Sequence, residues 1–386
     1  MNTLFSLATI ALIVVGSVYA LYILYFLRGL SRLRGGRNDR KFSVAVIVAA
    51  RNEERYIEQC VRSLLNQDYP RDKFSIVVVD DESTDNTAKI VEQLSNEYPN
   101  LRLLHAEGNR PAVSPKINAL EKGIRNTSSE LIFTTDADCF VGPQWISSLV
   151  KCFDDIVGVV SGVTIFKKTE NISPLLFGFQ YLDFFSQTAC GAGAIGMNAV
   201  NNCNGSNMAF RRSAFEAVGG YAEISHVNSG SDSLLAQRIL AATPWRMNFV
   251  YTPESHVTTL PLASWMEVLH QRMRWAGSTP NYRWTALIFL VASFFFYLLL
   301  FLFLPASLMY PSTMFAVLII FFIKILLDDL IITKFTKMTD IKGLKKYFLI
   351  SELIHVPFIL LAAIGSLTRK FEWKQRHMKR TIEQTV

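Results

Sequence analysis

The stretch Leu131-Ile-Phe-Thr-Thr-Asp136-Ala-Asp138 ends an apolar, β-branched run with two carboxylates two residues apart. Hard divalent cations such as Mg²⁺ or Mn²⁺ take carboxylate oxygens together with substrate phosphates, and open α/β sheets place ligands at strand C-terminal ends. The same pair suits a solvated turn, so alone it leaves both readings open. A second acidic cluster, Asp80-Asp81-Glu-Ser-Thr-Asp85, follows the run Phe74-Ser-Ile-Val-Val-Val. Part of it fits an N-cap, because Ser, Thr and Asp accept from the free amides of a first helical turn. The doubled Asp at the strand end fits a hydrogen-bonding role toward a ribose or base. Lys116 opens a helical pattern, where its charge opposes the helix dipole; this suits an anionic partner such as phosphate, or a plain surface lysine. Asp232, in Ser229-Gly-Ser-Asp232-Ser-Leu-Leu, heads another helical pattern and is open to a dipole role or to proton transfer.

These groups need a scaffold. Residues 43–50 form a continuous apolar run of strand length, followed by Arg51-Asn-Glu53-Glu54 and a helical pattern carrying Ile57, Cys60, Val61, Leu64 and Leu65. A second strand at 74–80 leads through a turn to a helix at 86–97. Strands at 101–105 and 130–134 flank a helix at 116–125. Alternation at this spacing predicts an α/β fold, a Rossmann-like, mostly parallel sheet covered by helices. In such a sheet Arg51, Glu53, Asp80, Asp81, Asp136 and Asp138 share one crevice.

Half of the 386 residues are hydrophobic and the mean hydropathy is positive, +0.24, which exceeds what an ordinary soluble domain needs. No charge occurs from Thr3 to Leu27, long enough as a helix to cross a hydrocarbon core of about 30 Å. The basic residues Arg28, Arg32, Arg34, Arg37, Arg40 and Lys41 follow that segment, as for an uncleaved anchor with its N-terminus outside. Further membrane candidates lie near 284–304, 312–332 and 347–367. The last contains Glu352, His355 and Pro357 and precedes a basic tail, so it either crosses fully or forms a re-entrant hairpin with its polar groups buried in protein.

The resulting division is an anchor at 1–27, a basic linker at 28–41 and a cytoplasmic domain at 42–282, with halves at 42–140 and 141–282. Membrane segments at 283–368 and a basic tail at 369–386 complete it. The net charge of +7 is explained by pairing of these juxtamembrane clusters with anionic lipid, and no nucleic-acid motif occurs. Five scattered cysteines, without metal-ligand spacing, read as reduced and mostly buried.

Five motifs in order resemble the family 2 glycosyltransferases, membrane-associated inverting enzymes with a nucleotide-sugar-binding fold of the GT-A type. They are Val-Ile-Val-Ala-Ala50-Arg51-Asn-Glu53-Glu, Val-Val-Asp80-Asp81-Glu-Ser-Thr-Asp85, Thr-Asp136-Ala-Asp138, Gly230-Ser-Asp232 and Gln271-Arg-Met-Arg274-Trp275. The resemblance implies that Ala50, Arg51, Glu53 and Asp81, with Asp80 and Lys116 beside them, line the donor nucleotide. Asp136 and Asp138 then take the metal and diphosphate role, and Asp232 becomes the general base, although it follows Ser231 where many relatives have an acidic residue. Gln271, Arg274 and Trp275 fall on one helix face. That face either anchors at the headgroup level or, as the resemblance implies, contacts acceptor sugar and donor diphosphate. The stretch Asn204-Gly-Ser-Asn207-Met-Ala-Phe-Arg-Arg212 with Gly219-Gly-Tyr221 resembles the acceptor side, its glycines admitting a sugar. His226 and His256 read as structural.

The expectation is therefore transfer from a nucleotide diphosphate sugar, UDP-linked, to a lipid-linked or saccharide acceptor, at the cell membrane. A processive polysaccharide synthase is the alternative within the class. A non-catalytic transporter or scaffold that keeps a nucleotide-binding domain is the alternative outside it.

Overall fold

The computed structural model describes residues 2–106, 113–227, 229–307, 311–367, 370–373 and 376–379. The chain order opens with α1 (Asn2–Leu30), β1 (Val44–Ala50), α2 (Ile57–Leu65), β2 (Phe74–Asp80), α3 (Thr87–Glu97), β3 (Leu101–His105), α4 (Pro115–Arg125) and β4 (Leu131–Asp136). It continues with β5 (Phe140–Val141), α5 (Trp145–Val150), β6 (Val157–Gly162), β7 (Thr164–Phe166), α6 (Pro174–Gly196), β8 (Met208–Arg211), α7 (Arg212–Ala217) and α8 (Ser231–Ala242). It ends with β9 (Arg246–Val250), β10 (Val257–Thr259), α9 (Trp265–Ala276), α10 (Trp284–Ser307), α11 (Pro311–Thr339), α12 (Phe348–Ser366) and the paired strands Lys370–Trp373 and Arg376–Lys379.

Two compact units result. One collects residues 1–32, 170–197 and 262–371; the other collects 33–169, 198–261 and 372–386. The sequence boundaries at 42–282 are therefore not those of the structure: α6 and α9 group with the apolar helices rather than with the sheet.

In the α/β unit, the strands order as β3-β2-β1-β4-β8-β6-β9. Strand β1 pairs in parallel with both β2 and β4, in a register that sets Ala50 opposite Asp80 and Ala49 opposite Asp136. The expected strands are thus present, and their C-terminal ends do share one edge. The other half departs from the βα alternation, because β8 runs antiparallel to β4 and β6. A small sheet, β5-β10-β7, completes the unit. The Val and Ile runs of β1 and β2 are buried on both faces, as helix-covered strands require. On one face, Val46, Val48, Ile76 and Phe133 pack with Ile57, Val61 and Leu64 of α2 and with Trp145. Ile57, Cys60, Val61 and Leu64 of α2 recur at helical spacing, so they form one apolar stripe.

Among the described residues, three helices of the helical unit are long and apolar enough to cross a membrane, at Leu7–Leu30, Ala286–Ser307 and Lys345–Ser366. The expected segment at 312–332 lies within α11, which carries Lys324, Asp328 and Asp329 and is not one of these three. Its outer side still exposes Phe315, Leu318 and Phe322, whereas Lys324 is fully buried. The Lys324 ammonium pairs with Asp328 at 2.9 Å and with Glu352, and the Tyr19 hydroxyl donates to Asp328 at 2.6 Å. Glu352 thus has its polar end inside protein, as its place in an apolar helix demands. Helix α1 packs on α6 at backbone contact: a Cβ on Gly29 would lie 1.8 Å from the Gly193 carbonyl oxygen. Small residues allow such an approach between helices in lipid, where apolar burial gives little drive.

Candidate active site

The β1 and β2 ends build one wall. Asn52 and Glu82, the residues turning the chain after these strands, adopt left-handed backbone at φ 52° and 57°. The two turns are laced together: the Asn52 amide donates to Ser83 Oγ at 3.0 Å, and the Thr84 amide donates to Asn52 Oδ1 at 2.8 Å. Arg51, expected to face the donor, uses Nη1 to donate to the Asp81 and Glu82 carbonyls at 2.5 and 3.1 Å. It braces the loop that presents Asp81. The buried Glu53 is fixed by its amide, which donates to Thr87 Oγ1 at 2.7 Å.

The acidic cluster after β2 divides its work. Asp85 accepts from the Thr87 amide at 3.0 Å and the Glu54 amide at 3.1 Å, so it supplies the capping part. Burial would raise its pKa, but bonds from Thr87 and Glu54 outweigh that and lower it. Asp80 and Asp81 are buried at the strand end. Asp80 Oδ2 accepts from the Ser83 amide at 3.3 Å, while Oδ1 is buried with no partner among the described residues. A buried lone pair left open at a strand end is a place for a donor to bind.

Beyond β4, ligand atoms of Asp136, Asp138 and Cys139 lie within 4.8 Å of one another. The Asp138 carboxyl is pushed up to about 6, first by burial and then by the nearby Asp136 charge. Two carboxylate oxygens in mutual repulsion fit a hard divalent cation. Cys139 fits it poorly: its thiol donates to Asp138 at 3.6 Å and burial keeps it protonated. The Lys116 ammonium stands 2.6 Å from Asp136 Oδ1, so the anion facing this lysine in the structure is a carboxylate, where sequence left phosphate or solvent open.

Asp232 lies in the first turn of α8, after Gly230 at φ 77°. Its Oδ2 accepts from the Gly205 amide at 2.6 Å. Burial raises its pKa, opposed by the Lys116 charge and the amides of Ser233 and Gly205, and aided by Asp136. Lys116 and Asp136 therefore act electrostatically on Asp232, which ties α8 to the β4 end.

Within the stretch expected on the acceptor side, Asn207 and Arg212 are held by other parts of the protein. Asn207 is fully buried, donating to the Val163 and Ser255 carbonyls at 2.8 and 2.9 Å and accepting from Trp145 Nε1 at 3.0 Å. Arg212 binds the Ser129 carbonyl at 2.9 Å and Thr127 Oγ1 at 2.7 Å, closing the end of α4. Gly219 and Gly220 make a left-handed turn after α7. His256 is structural, as expected: burial lowers its pKa and its Nε2 lies 3.3 Å from the Tyr251 carbonyl oxygen.

Gln271, Arg274 and Trp275 belong to α9, in the helical unit. The residue that sequence reading passed over there is Arg272. It is buried, ion-paired with Asp183 of α6, hydrogen-bonded to Gln271 Oε1, and its guanidinium lies 4.2 Å from the Trp275 ring centroid. Gln271 thus has a structural partner too. His355 Nε2 lies 3.5 Å from the other Asp183 oxygen. Burial would raise the Asp183 pKa, but Arg272 and His355 outweigh it and hold the carboxyl far below the usual range. The signal was available: Asp183 is the one acid in the apolar run of α6 and needed a cation.

Residues 8–386 match the family described as Glycosyl transferase family 21. The chain belongs to that family. Among curated relatives of this family 21 protein, the beta-monoglucosyldiacylglycerol synthase of Nostoc sp. (strain PCC 7120) is 31% identical over 240 residues, 60% of this chain and 48% of the relative. The probable glycosyltransferase YdaM of Bacillus subtilis is 28% identical over 244 residues, 60% of this chain and 54% of its own. The chain thus spans about half the length of the curated relatives it matches. The mannosyltransferase PcManGT of Pyrobaculum calidifontis, solved with GDP-Man and Mn²⁺, superposes with a TM-score of 0.60 over 93% of this chain and 99% of its own. At 20% identity this is a likeness of fold, of the GT-A type.

Proposed function

We propose that this family 21 member is a membrane-bound inverting glycosyltransferase that moves a sugar from a nucleotide diphosphate sugar, UDP-linked, to a lipid acceptor. The observation that carries this reading is the grouping of Asp136, Asp138 and Lys116 at one strand end, to which Asp232 is tied through Gly205 and Thr134, with the Asp80 oxygen that has no partner among the described residues two strands away on the same edge. In this reading Ala50, Arg51, Glu53, Asp80 and Asp81 hold the nucleoside, and Lys116 shifts from Asp136 toward the diphosphate. Asp136 and Asp138 would hold Mg²⁺ or Mn²⁺, which when bound neutralises charge on the departing diphosphate. Asp232 takes the proton from the acceptor hydroxyl, whose oxygen attacks the anomeric carbon as the bond to the diphosphate breaks; one displacement inverts the centre. A raised pKa suits a base that must hold a proton once it has taken it.

The lipid acceptor is favoured by the apolar helices of the chain and by its similarity to the beta-monoglucosyldiacylglycerol synthase of Nostoc sp.. Gln271, Arg274 and Trp275 are assigned to acceptor and diphosphate contact through the family pattern, with the α/β unit on the cytoplasmic face of the cell membrane. The test is transfer by membranes containing the full chain, supplied with UDP-glucose, UDP-galactose, UDP-N-acetylglucosamine or GDP-mannose, with Mn²⁺ and with chelator. A sugar recovered in the lipid fraction, dependent on metal, is the expected result. Transfer into a growing polymer would indicate a synthase. Nucleotide binding without transfer from any donor would indicate the scaffold class.

A further inference from the structure

Strand β4 carries two threonines between its apolar residues and Asp136: the Thr134 hydroxyl donates to the Gly205 carbonyl at 2.9 Å, whereas Thr135 Oγ1 is buried with no partner among the described residues. The amide of the same residue, Gly205, donates to Asp232 Oδ2 at 2.6 Å. One residue therefore links the strand that ends in Asp136 to the carboxylate of Asp232, by an acceptor on one side and a donor on the other.

The turn holding it is immobilised from several directions. Asn204 Oδ1 accepts from the Ser206 amide at 3.2 Å and its Nδ2 donates to Thr164 Oγ1 at 2.8 Å. Ser206 Oγ lies 2.9 Å from the same Thr164 oxygen, and Asn207 is fixed by its three buried bonds. The Cys203 amide donates to Ser233 Oγ at 3.0 Å, joining the turn to the residue after Asp232. A Cβ at 205 would lie 2.9 Å from Asp232 Oδ2 and 3.3 Å from its Cβ and Cγ, so a larger residue there must displace the Asp232 side chain.

We propose that Thr134 and Gly205 are positioning residues for the transfer reaction, fixing the Asp232 carboxylate against the end of β4 where Asp136 holds the donor side. The inference rests on Asp232 being the base. A base and an electrophilic carbon bound to different elements must keep a fixed spacing, and a displacement of about 1 Å costs on the order of a hundredfold in rate. Thr134 supplies that spacing from the sheet side and Gly205 from the α8 side.

The experiment uses the full chain in membranes, with the nucleotide sugar that the wild type consumes and with binding of the matching nucleoside diphosphate in Mn²⁺ as the control for folding. Thr134→Val removes the hydroxyl and keeps the shape, Thr134→Ser keeps the hydroxyl, Gly205→Ala adds the obstructing carbon, and Asp232→Asn removes the base. The expected result is a fall in kcat of about tenfold for Thr134→Val and about a hundredfold for Gly205→Ala, at unchanged donor KM and nucleotide affinity, with recovery in Thr134→Ser. In the Asp232→Asn background, Thr134→Val adds nothing. Asp232→Asn that still transfers sugar at the wild-type rate overturns the base and the inference together. Asp232→Asn that is inactive while Thr134→Val and Gly205→Ala transfer normally overturns the inference alone. So does a Thr134→Ser rate as low as that of Thr134→Val, or a Thr134→Val loss that appears in donor KM instead of kcat.

Discussion

The helical unit and the α/β unit bury charge in opposite ways. In the first, Lys324 stands between Asp328 and Glu352, and Arg272 faces Asp183 with His355 on its other side. Each buried acid there has a cation of the chain in contact. In the second, Asp80, Asp81, Asp136 and Asp138 line a strand edge, where the Lys116 ammonium touches Asp136, His105 faces one Asp80 oxygen, and the other has no partner among the described residues. Removing charges from water carries a large penalty that only a close counter-charge offsets. The helical unit sets each of these buried acids against a base of its own chain, with Lys324 shared by Asp328 and Glu352. At the strand edge, the closely set carboxylates of Asp136 and Asp138 fit an added cation. Pairing, more than burial, separates structural charge from functional charge in this chain.

The largest effect should come from Asp232, whose partners are amides and whose charge the structure raises in proton affinity. Asp232→Asn keeps the size and the capping position of the side chain and removes the base. Transfer should fall by about 10²- to 10⁴-fold while nucleoside diphosphate binding, measured by calorimetry, stays within twofold. Equal loss of binding would move Asp232 into the structural class.

Arg272 tests the paired unit. Arg272→Met leaves Asp183 buried with only Gln187 and His355 beside its carboxylate, and stability in detergent should fall by about 3–5 kcal/mol. Adding Asp183→Leu should restore most of it, since two apolar residues of matching volume replace an ion pair at little cost. A double variant as unstable as the single one would show that Arg272 holds more than Asp183.

Asp138 tests the surplus edge and should behave with the opposite sign. Asp138→Ala removes a carboxylate whose ionised form is disfavoured by burial and by Asp136, so thermal stability should hold or rise slightly. Affinity for nucleoside diphosphate in Mn²⁺ should fall by about a hundredfold, the scale of one close charge interaction in a site of intermediate dielectric. Chelator should lower wild-type affinity to the same level. A destabilised Asp138→Ala protein that still bound nucleotide in a metal-dependent way would erase the contrast between the units.

Much of the site was readable because it lies where chain order and space coincide. Each of β1, β2 and β4 ends in its motif, and parallel pairing puts those ends together, so Ala50, Asp80 and Asp136 could be placed on one edge from the alternation alone. Antiparallel β8 was not readable, because the rule that converts βα alternation into parallel neighbours says nothing of a strand returning from α6. For the same reason the contact of the Gly205 turn with Asp232, 27 residues along the chain, was not readable. Arg272 escaped because its partner lies 89 residues away, in a segment whose apolar composition drew attention from its single acid. Lys324, Asp328 and Glu352 illustrate the converse: a helix composition that argues against lipid is satisfied once the charges meet each other inside the unit.

The smallest effect is in pH dependence, and its direction follows from the balance at Asp232. Burial raises the pKa of that carboxyl; Lys116 and the Ser233 and Gly205 amides lower it, and Asp136 raises it. A general base works in its deprotonated form, so kcat/KM must fall as pH drops through the pKa of the free enzyme. Because the net shift is upward, this acid limb should lie above the ordinary aspartate range. Lys116→Met withdraws the charge that opposes burial, and the limb should move higher still. The measurement is kcat/KM against pH for wild type and Lys116→Met. Nucleotide affinity should be followed in parallel, because loss of Lys116 also weakens the hold on diphosphate and lowers the whole profile. A profile that drops in height without moving along the pH axis would mean that Lys116 serves the donor alone, and that the surplus charge at the strand edge does not reach Asp232.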